Sequence, residues 1–310
     1  MSTLYDVIII GGGPAGLSAA LVLARCRRRV IVFDEGHPRN ARAKNLHGYL
    51  SRDGIPPLQL LEIGRAEIAE YGTELSDDKA TAAVKVSKSR EFEHETGFEV
   101  STESGRTARC RKILFATGVR DEIPDICGIH ECYGVSVHHC PYCDGWEHRD
   151  QAIAVVGSTF EATAGLALLM HQWSERVTVL ANGSAPDEEW LPRLAKYGIA
   201  VREPRVRELL HQQGKLTHVS LEDGTQVPAH ALFFNTSHQA RCDIAASLGC
   251  EVKEDVAKTT DKQRTKVPGV FFAGDADGDV QFAIVAAAEG ATAAVTINKE
   301  LVQEDSRRDR

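Results

Sequence analysis

A chain of 310 residues is long enough for two domains, each able to bury its own core and to enclose a cofactor. Its 36 basic and 44 acidic residues leave a formal net charge of −8, which disfavours nonspecific binding to nucleic acid or to an anionic membrane and favours a compact soluble partner. Eight cysteines without a secretory leader suit a reducing, cytoplasmic compartment, where a close thiol pair is catalytic or metal-binding more often than structural.

The first apolar run, Asp6-Val-Ile-Ile-Ile-Gly11, ends early in a glycine turn and reads as a buried strand rather than a signal segment. It leads into Gly11-Gly-Gly-Pro-Ala-Gly16, where a helix opens. Glycines in that position make the tight turn and admit a pyrophosphate against the helix N-terminus, so Gly11, Gly13, Pro14, Ala15 and Gly16 are candidates for cofactor binding. A second strand, Val30-Ile-Val-Phe, ends at Asp34, about twenty residues on, where a carboxylate can accept ribose hydroxyl hydrogen bonds. Residues 71–111 alternate charged and β-branched side chains as short antiparallel strands do, and a buried strand returns at Lys112-Ile-Leu-Phe-Ala-Thr-Gly118. Pro124 marks a crossing to a second domain.

His138-His-Cys140-Pro-Tyr-Cys143-Asp144-Gly follows that crossing, with two thiols at the spacing that closes a small, easily reduced disulfide. The same spacing admits zinc, but a second ligand pair is needed, and Cys127, Cys132, His138 and His139 match no closed finger or ribbon pattern, so no metal is assigned. Thiolate chemistry changes protonation at every step, and Asp144 is placed to supply that proton. Side chains of adjacent strand residues point opposite ways, so at most one of His138 and His139 faces the pair.

A second strand-turn-helix pattern spans 151–172, but Val156-Gly-Ser-Thr-Phe-Glu-Ala162 places Thr159 where a dinucleotide fingerprint needs its second glycine, and Glu161 adds negative charge to the same loop. The next strand runs into Ala181-Asn-Gly183 with no adjacent basic cluster for a 2′-phosphate. A polar crossing at 235–241 precedes the strand Gly269-Val-Phe-Phe-Ala-Gly-Asp275 and a long helix. The helix is interrupted by Glu289, Gly290 and Thr292, so it is too polar to span a membrane, and residues 303–310 read as a frayed tail.

With Ala116-Thr-Gly118 and Ala273-Gly-Asp275 added, the glycine turn and Asp34 resemble the FAD domain of two-dinucleotide-binding flavoproteins. The cysteine pair between two such folds resembles the redox centre of low-molecular-weight thioredoxin reductases, over nearly the whole chain. The resemblance implies an α/β protein with two Rossmann-like three-layer dinucleotide-binding domains, the second inserted into the first: residues 1–118 and 242–310 for FAD, residues 119–241 for the insertion with the Cys-Pro-Tyr-Cys motif. It implies FAD as cofactor, with Asp275 at the ribityl chain and Gln281 beside the isoalloxazine, and with Glu35, Asn45, Ala116, Thr117, Gly118 and Gly274 completing the flavin set. By it, Cys143 faces the flavin, Cys140 exchanges with an external disulfide or dithiol, Asp144 shuttles the proton, and the enzyme is a homodimer.

Thr159 and the missing basic cluster set the chain apart from NADPH-dependent relatives, so the expected function is FAD-dependent thiol-disulfide exchange without tight NADPH binding. The partner is a thioredoxin-like protein or a small dithiol or disulfide, and the electron donor is unknown. Two alternatives stay open: a dithiol oxidase that passes electrons to oxygen, and a flavoprotein redox sensor or binding module without turnover.

Overall fold

The computed structural model describes residues 4–89, 92–235, 237–253, 256–260, 262–278 and 280–308; of the segments singled out above, Arg90 and Glu91 in 71–111, Thr236 in the second crossing and Asp309 and Arg310 in the tail lie outside them. In chain order the elements are β1 (Leu4–Ile10), α1 (Pro14–Arg25), β2 (Val30–Phe33), α2 (Pro57–Glu70), β3 (Glu74–Ser76), β4 (Ala80–Ser89), β5 (Phe92–Thr102), β6 (Thr107–Phe115) and β7 (Val119–Asp121). There follow α3 (Ile129–Cys132), β8 (Val137–His138), α4 (Pro141–Asp144), β9 (Ile153–Gly157), α5 (Phe160–Met170), β10 (Val177–Leu180), α6 (Trp190–Lys196), β11 (Ala200–Arg202), β12 (Val206–Gln212), β13 (Lys215–Leu221), β14 (Gln226–Pro228) and β15 (Ala231–Asn235). The chain closes with β16 (His238–Ala240), α7 (Asp243–Ser247), β17 (Val252–Lys253), β18 (Val256–Ala257), β19 (Val270–Phe272) and α8 (Ala283–Arg308). Among the described residues no helix is long and apolar enough to cross a membrane.

The chain divides into two units: residues 1–41, 49–120 and 239–310 form one, residues 42–48 and 121–238 the other. Both are α/β sandwiches of the dinucleotide-binding type, the fold class the sequence implies. The segment Arg42–Gly48 groups with the second unit, a detail with no signal in the local sequence. There Arg42 donates to the His130 carbonyl at 2.6 Å, and His47 Nε2 lies 3.5 Å from Glu147.

In the first unit the sheet order is β3-β2-β1-β6-β5-β4, and β6 forks. Its first half pairs antiparallel with β5, whereas Ile113, Leu114 and Phe115 pair parallel with Val270, Phe271 and Phe272 of β19. The near-continuous apolar runs of β1 and β2 follow from burial on both faces: Ile8, Ile10, Ile31 and Phe33 face one apolar core, and Val7, Ile9, Val30 and Val32 face the other, against α1 and α8. Each such side chain, taken fully out of water, contributes about 1.5–3 kcal/mol to the gross burial term. Helices α1 and α8 touch backbone to backbone, since a Cβ at Gly290 would stand 2.0 Å from the Ala15 carbonyl oxygen.

Helix α8 continues to Arg308, so the expected frayed tail is corrected. Its last turns carry Glu304 and Asp305 onto Arg111, at 3.0 and 2.7 Å, and Glu304 onto Lys112 at 2.6 Å; both basic side chains are buried. The tail lacks apolar anchors but holds the counter-charges of two buried cations.

The second unit has a parallel sheet, β11-β10-β9-β15-β8, covered on one face by α5 and α6 and on the other by the antiparallel meander β12-β13-β14. Strand β15 pairs with β8 so that Phe233 stands beside His138. The two connecting strands β7 and β16 pair with each other.

Candidate active site

The flavin candidates of the first unit converge at the C-terminal ends of β1, β2, β6 and β19, where ligands bind in open α/β sheets. Gly11 N donates to Phe33 O at 2.8 Å, and Ala116 N donates to Ile10 O at 2.8 Å, which brings the glycine turn between β2 and β6. At Gly11, φ is +107°, and a Cβ would lie 2.2 Å from the Ala116 carbonyl oxygen, so only glycine fits the approach. A Cβ at Gly16 would stand 1.9 Å from the Gly11 oxygen, whereas one at Gly13 would meet nothing within 4 Å. Gly13 therefore borders open space at the start of α1, a helix with no side-chain cap and no acidic residue in its first turn. Unpaired amides at an uncapped N-terminus facing open space suit an anion such as a pyrophosphate.

Asp34 lies against Gly12 and is oriented by Arg65, whose Nη2 reaches Asp34 Oδ2 at 2.5 Å. Glu35 pairs with Arg241 at 2.9 Å and with Lys79 at 3.4 Å, and Thr117 Oγ1 donates to the Arg241 carbonyl at 2.7 Å, which ties Ala116, Thr117 and Gly118 to the same corner. Glu35, Asp77, Lys79 and Arg241 line a polar cleft of about 580 Å3. Gly274, with φ of +85°, packs on Ala15, and its amide donates to Glu289 at 2.6 Å. Arg39 Nη1 donates to Asp275 Oδ2 at 2.9 Å and to Gln281 Oε1 at 2.6 Å. Arg39, Arg65, Arg241 and Glu289 hold the expected residues and were not assigned to the site from the sequence, because each meets its partner across a long loop or a different element. Asn45 is the exception among the flavin candidates, since it lies in the segment grouped with the second unit. An uncapped helix start, an open glycine edge and carboxylates set for ribose and ribityl hydroxyls fit a flavin dinucleotide.

The second unit holds the redox pair. Cys140 and Cys143 are joined by a disulfide with Cα atoms 5.3 Å apart, on the single turn of α4. Cys143 N donates to Cys140 O at 3.2 Å, and Gly145 N donates to Pro141 O at 2.8 Å. Gly145 must be small, since a Cβ would lie 2.5 Å from the Pro141 oxygen and 2.9 Å from the Trp173 ring. Tyr142, between the cysteines, is exposed and meets Trp173 edge-on at 5.8 Å. Cys110, Cys132, Cys242 and Cys250 are buried, and burial pushes the Cys110 thiol well above its ordinary range.

His138 ends β8, and His139, just beyond it, turns to the opposite side. His139 turns to Tyr133 and Phe234, with Nδ1 3.3 Å from the Tyr133 hydroxyl. Buried His138 turns to Asp144, with Nδ1 3.3 Å from Asp144 Oδ1, and to His148, with Nε2 atoms 3.0 Å apart. Both rings lie against Phe233, His138 tilted at 5.4 Å and His148 edge-on at 6.1 Å. Burial alone would raise the Asp144 carboxyl, but the hydrogen bond from His138 and the charges of His138, His139 and His148 outweigh it and hold it below the usual carboxylate range. Burial, reinforced by the charge of His138, lowers His148 to about 4. Asp144 is thus a proton acceptor at neutral pH, and its immediate partner is His138. His148 carried no signal in the sequence.

The loop before α5 contrasts with the glycine turn before α1. Thr159 Oγ1 accepts from Ala162 N at 3.2 Å, and Thr163 Oγ1 donates to Thr159 O at 2.7 Å, so the helix caps itself, with Glu161 in its first turn. The expected lack of basic residues near Ala181–Gly183 holds for the adjacent sequence only. Arg205 packs on Gly183, and Arg202 stands opposite Leu180 on β11.

The family model for pyridine nucleotide-disulphide oxidoreductases matches residues 5–290. The chain is similar to the thioredoxin reductase tcpT of Claviceps purpurea, at 33% identity over 88% of this chain and 87% of that protein. It is similar to the thioredoxin reductase aclD of Aspergillus oryzae, at 31% identity over 96% of each. Among solved structures, HlmI matches with a TM-score of 0.94 and 35% identity over 100% of this chain and 96% of that one. An oxidoreductase from Agrobacterium tumefaciens matches at 0.87 and 31%, over 97% of this chain and 99% of that one. These matches, the glycine turn and the Cys140–Cys143 pair make the chain a thiol-disulfide flavoenzyme of the pyridine nucleotide-disulphide oxidoreductase family, in its low-molecular-weight thioredoxin reductase-like group.

Proposed function

We propose that this enzyme uses FAD, that electrons pass between the flavin and Cys140–Cys143, and that NADPH is not its electron source. The outside partner in this reading is a thioredoxin-like protein or a small dithiol or disulfide. The α1 amides and Gly13 would hold the pyrophosphate, Asp34 the ribose, and Asp275 and Gln281 the ribityl and ring end. A flavin held there supplies a two-electron couple matched to the two-electron couple of a disulfide. Tyr142, exposed beside the cysteines, offers an aromatic surface to an incoming substrate, and Asp144 accepts the proton that the substrate thiol loses.

The observation that carries NADPH independence is the self-capped start of α5. The amide that a dinucleotide phosphate would use already binds Thr159 Oγ1, and Glu161 repels a phosphate at the same turn. Arg202 and Arg205 are the counterweight, which makes a direct assay necessary. Flavin-loaded protein is mixed anaerobically with micromolar NADPH or with a small dithiol while the flavin absorbance is recorded. The reading predicts bleaching by the dithiol and a persistent band with NADPH; rapid bleaching by NADPH contradicts it. Peroxide release on admitting air to the dithiol mixture would set the direction of flow toward oxygen.

A further inference from the structure

Asp144, which takes up thiol protons in the proposed exchange, needs a route for them to and from solvent. Asp144 Oδ1 faces Nδ1 of buried His138 at 3.3 Å. The other ring nitrogen of His138 faces Nε2 of His148 at 3.0 Å, and His148 Nδ1 faces Gln151 Oε1 at 3.5 Å. With the Gln151 amide oxygen toward the ring, His148 donates from Nδ1 and accepts at Nε2. His138 must then donate from Nε2, and Nδ1 either donates to the carboxylate or accepts from a protonated carboxyl. One proton in excess of the neutral rings is thus shared between Asp144 and His138. His138 is buried, whereas Asp144 and His148, at the two ends of the chain of contacts, are each partly exposed.

We propose that His138 and His148 form a proton relay that connects Asp144 with solvent, with His138 as a positioning residue that acts through Asp144 and His148 as the outer station. The inference rests on the reading that Cys140–Cys143 exchanges with an external dithiol. In that exchange a substrate thiolate attacks one cysteine sulfur, a new S–S bond forms, the Cys140–Cys143 bond breaks, and its electron pair leaves on the other cysteine. The leaving thiolate takes the proton shared by Asp144 and His138. The second substrate thiol then displaces the first cysteine, whose sulfur is protonated in turn, while the protons lost by the substrate thiols reach solvent. The sum is one dithiol and one disulfide converted into one disulfide and two cysteine thiols, with no net proton or electron. The relay refills the Asp144–His138 pair between the two displacements.

The groups that bear on the relay come from several elements. Asp144 lies on α4, His148 and Gln151 in the segment before β9, and Phe233 on β15 supplies an uncharged wall to both rings. His139 adds its charge at Asp144, and His230 adds its charge at His148. None of these is a carboxylate other than Asp144, so the shared proton has one anionic home.

The test is the rate at which dithiothreitol opens the Cys140–Cys143 bond in the full-length holoprotein, read by rapid alkylation and mass shift from about pH 5 to 9, so that the readout is independent of the flavin. His138→Gln keeps a donor toward Asp144 but carries no proton, and His148→Ala leaves His138 in place and opens the outer station. The relay predicts that His138→Gln slows opening about tenfold or more near neutral pH and flattens the pH profile. It predicts a smaller slowing in His148→Ala that added imidazole reverses. Wild-type rates and profiles in both variants overturn the relay, as does a slow His148→Ala that imidazole leaves slow. Normal opening of the bond in the wild type without any flavin reduction would instead overturn the functional reading and leave the relay standing.

Discussion

Gly13 and Gly16 lie within one helical turn and answer to different constraints. Gly16 is required by the fold, because a Cβ there would stand 1.9 Å from the Gly11 oxygen; Gly13 is not, because a Cβ there meets nothing within 4 Å. Gly13→Ala is therefore expected to leave the stability of the flavin-free protein within about 0.5 kcal/mol of wild type, with little change in its thermal midpoint, while it lowers flavin retention. Gly16→Ala is expected to lower the midpoint itself. Circular dichroism melting and flavin absorbance after gel filtration check both; equal destabilisation by the two changes would mean that Gly13 serves packing and not a ligand. A pH dependence belongs to His148. Its folded pKa of about 4 lies below the ordinary 6.5, so the unfolded chain binds more protons in that window, and stability falls as pH drops from about 6.5 toward 4. Discounted for partial exposure, the loss is about 2 kcal/mol. The urea midpoint of His148→Gln should fall less over this window than that of wild type, and an equal fall would contradict the assignment. The cysteine pair was legible because its two members share one turn. The role of His138 was not, because two adjacent histidines are equivalent in a sequence until the register of β8 against β15 sets His138 beside Phe233.

At the scale of elements, a strand is legible when both of its faces are apolar, as in β1 and β2, and a helix start when its glycines sit on a strand end. The end of α8 was misread because its charged residues look solvated, whereas their partners, Arg111 and Lys112, are buried on β6. Removing the residues after Gln303 takes Glu304 and Asp305 from the two cations and leaves Arg111 with Asp6 and Lys112 with Glu300. Loss of a buried charge's only partner costs about 3–5 kcal/mol, and with one partner kept by each cation the cost is a fraction of that, so the truncated chain should unfold at lower urea concentration. An unchanged midpoint would restore the view of a frayed tail. Arg39, Arg65 and Arg241 escaped notice for a related reason: their partners Asp275, Asp34 and Glu35 lie on other elements, and an arginine in a loop carries no sign of the carboxylate it will meet.

For the whole molecule, the family, the two dinucleotide-type units and the thiol chemistry followed from motifs with fixed spacing, while the segment 42–48 and its grouping with the second unit depended on tertiary contacts. The central claim is that the flavin and the Cys140–Cys143 pair act as one electron store. Anaerobic titration of the flavin-loaded protein with dithionite measures it directly, with absorbance as the readout. The account predicts uptake of about four electrons per chain in the wild type and about two in the Cys140→Ser, Cys143→Ser double variant, since flavin and disulfide each take two. Uptake of about two electrons in both proteins would contradict it.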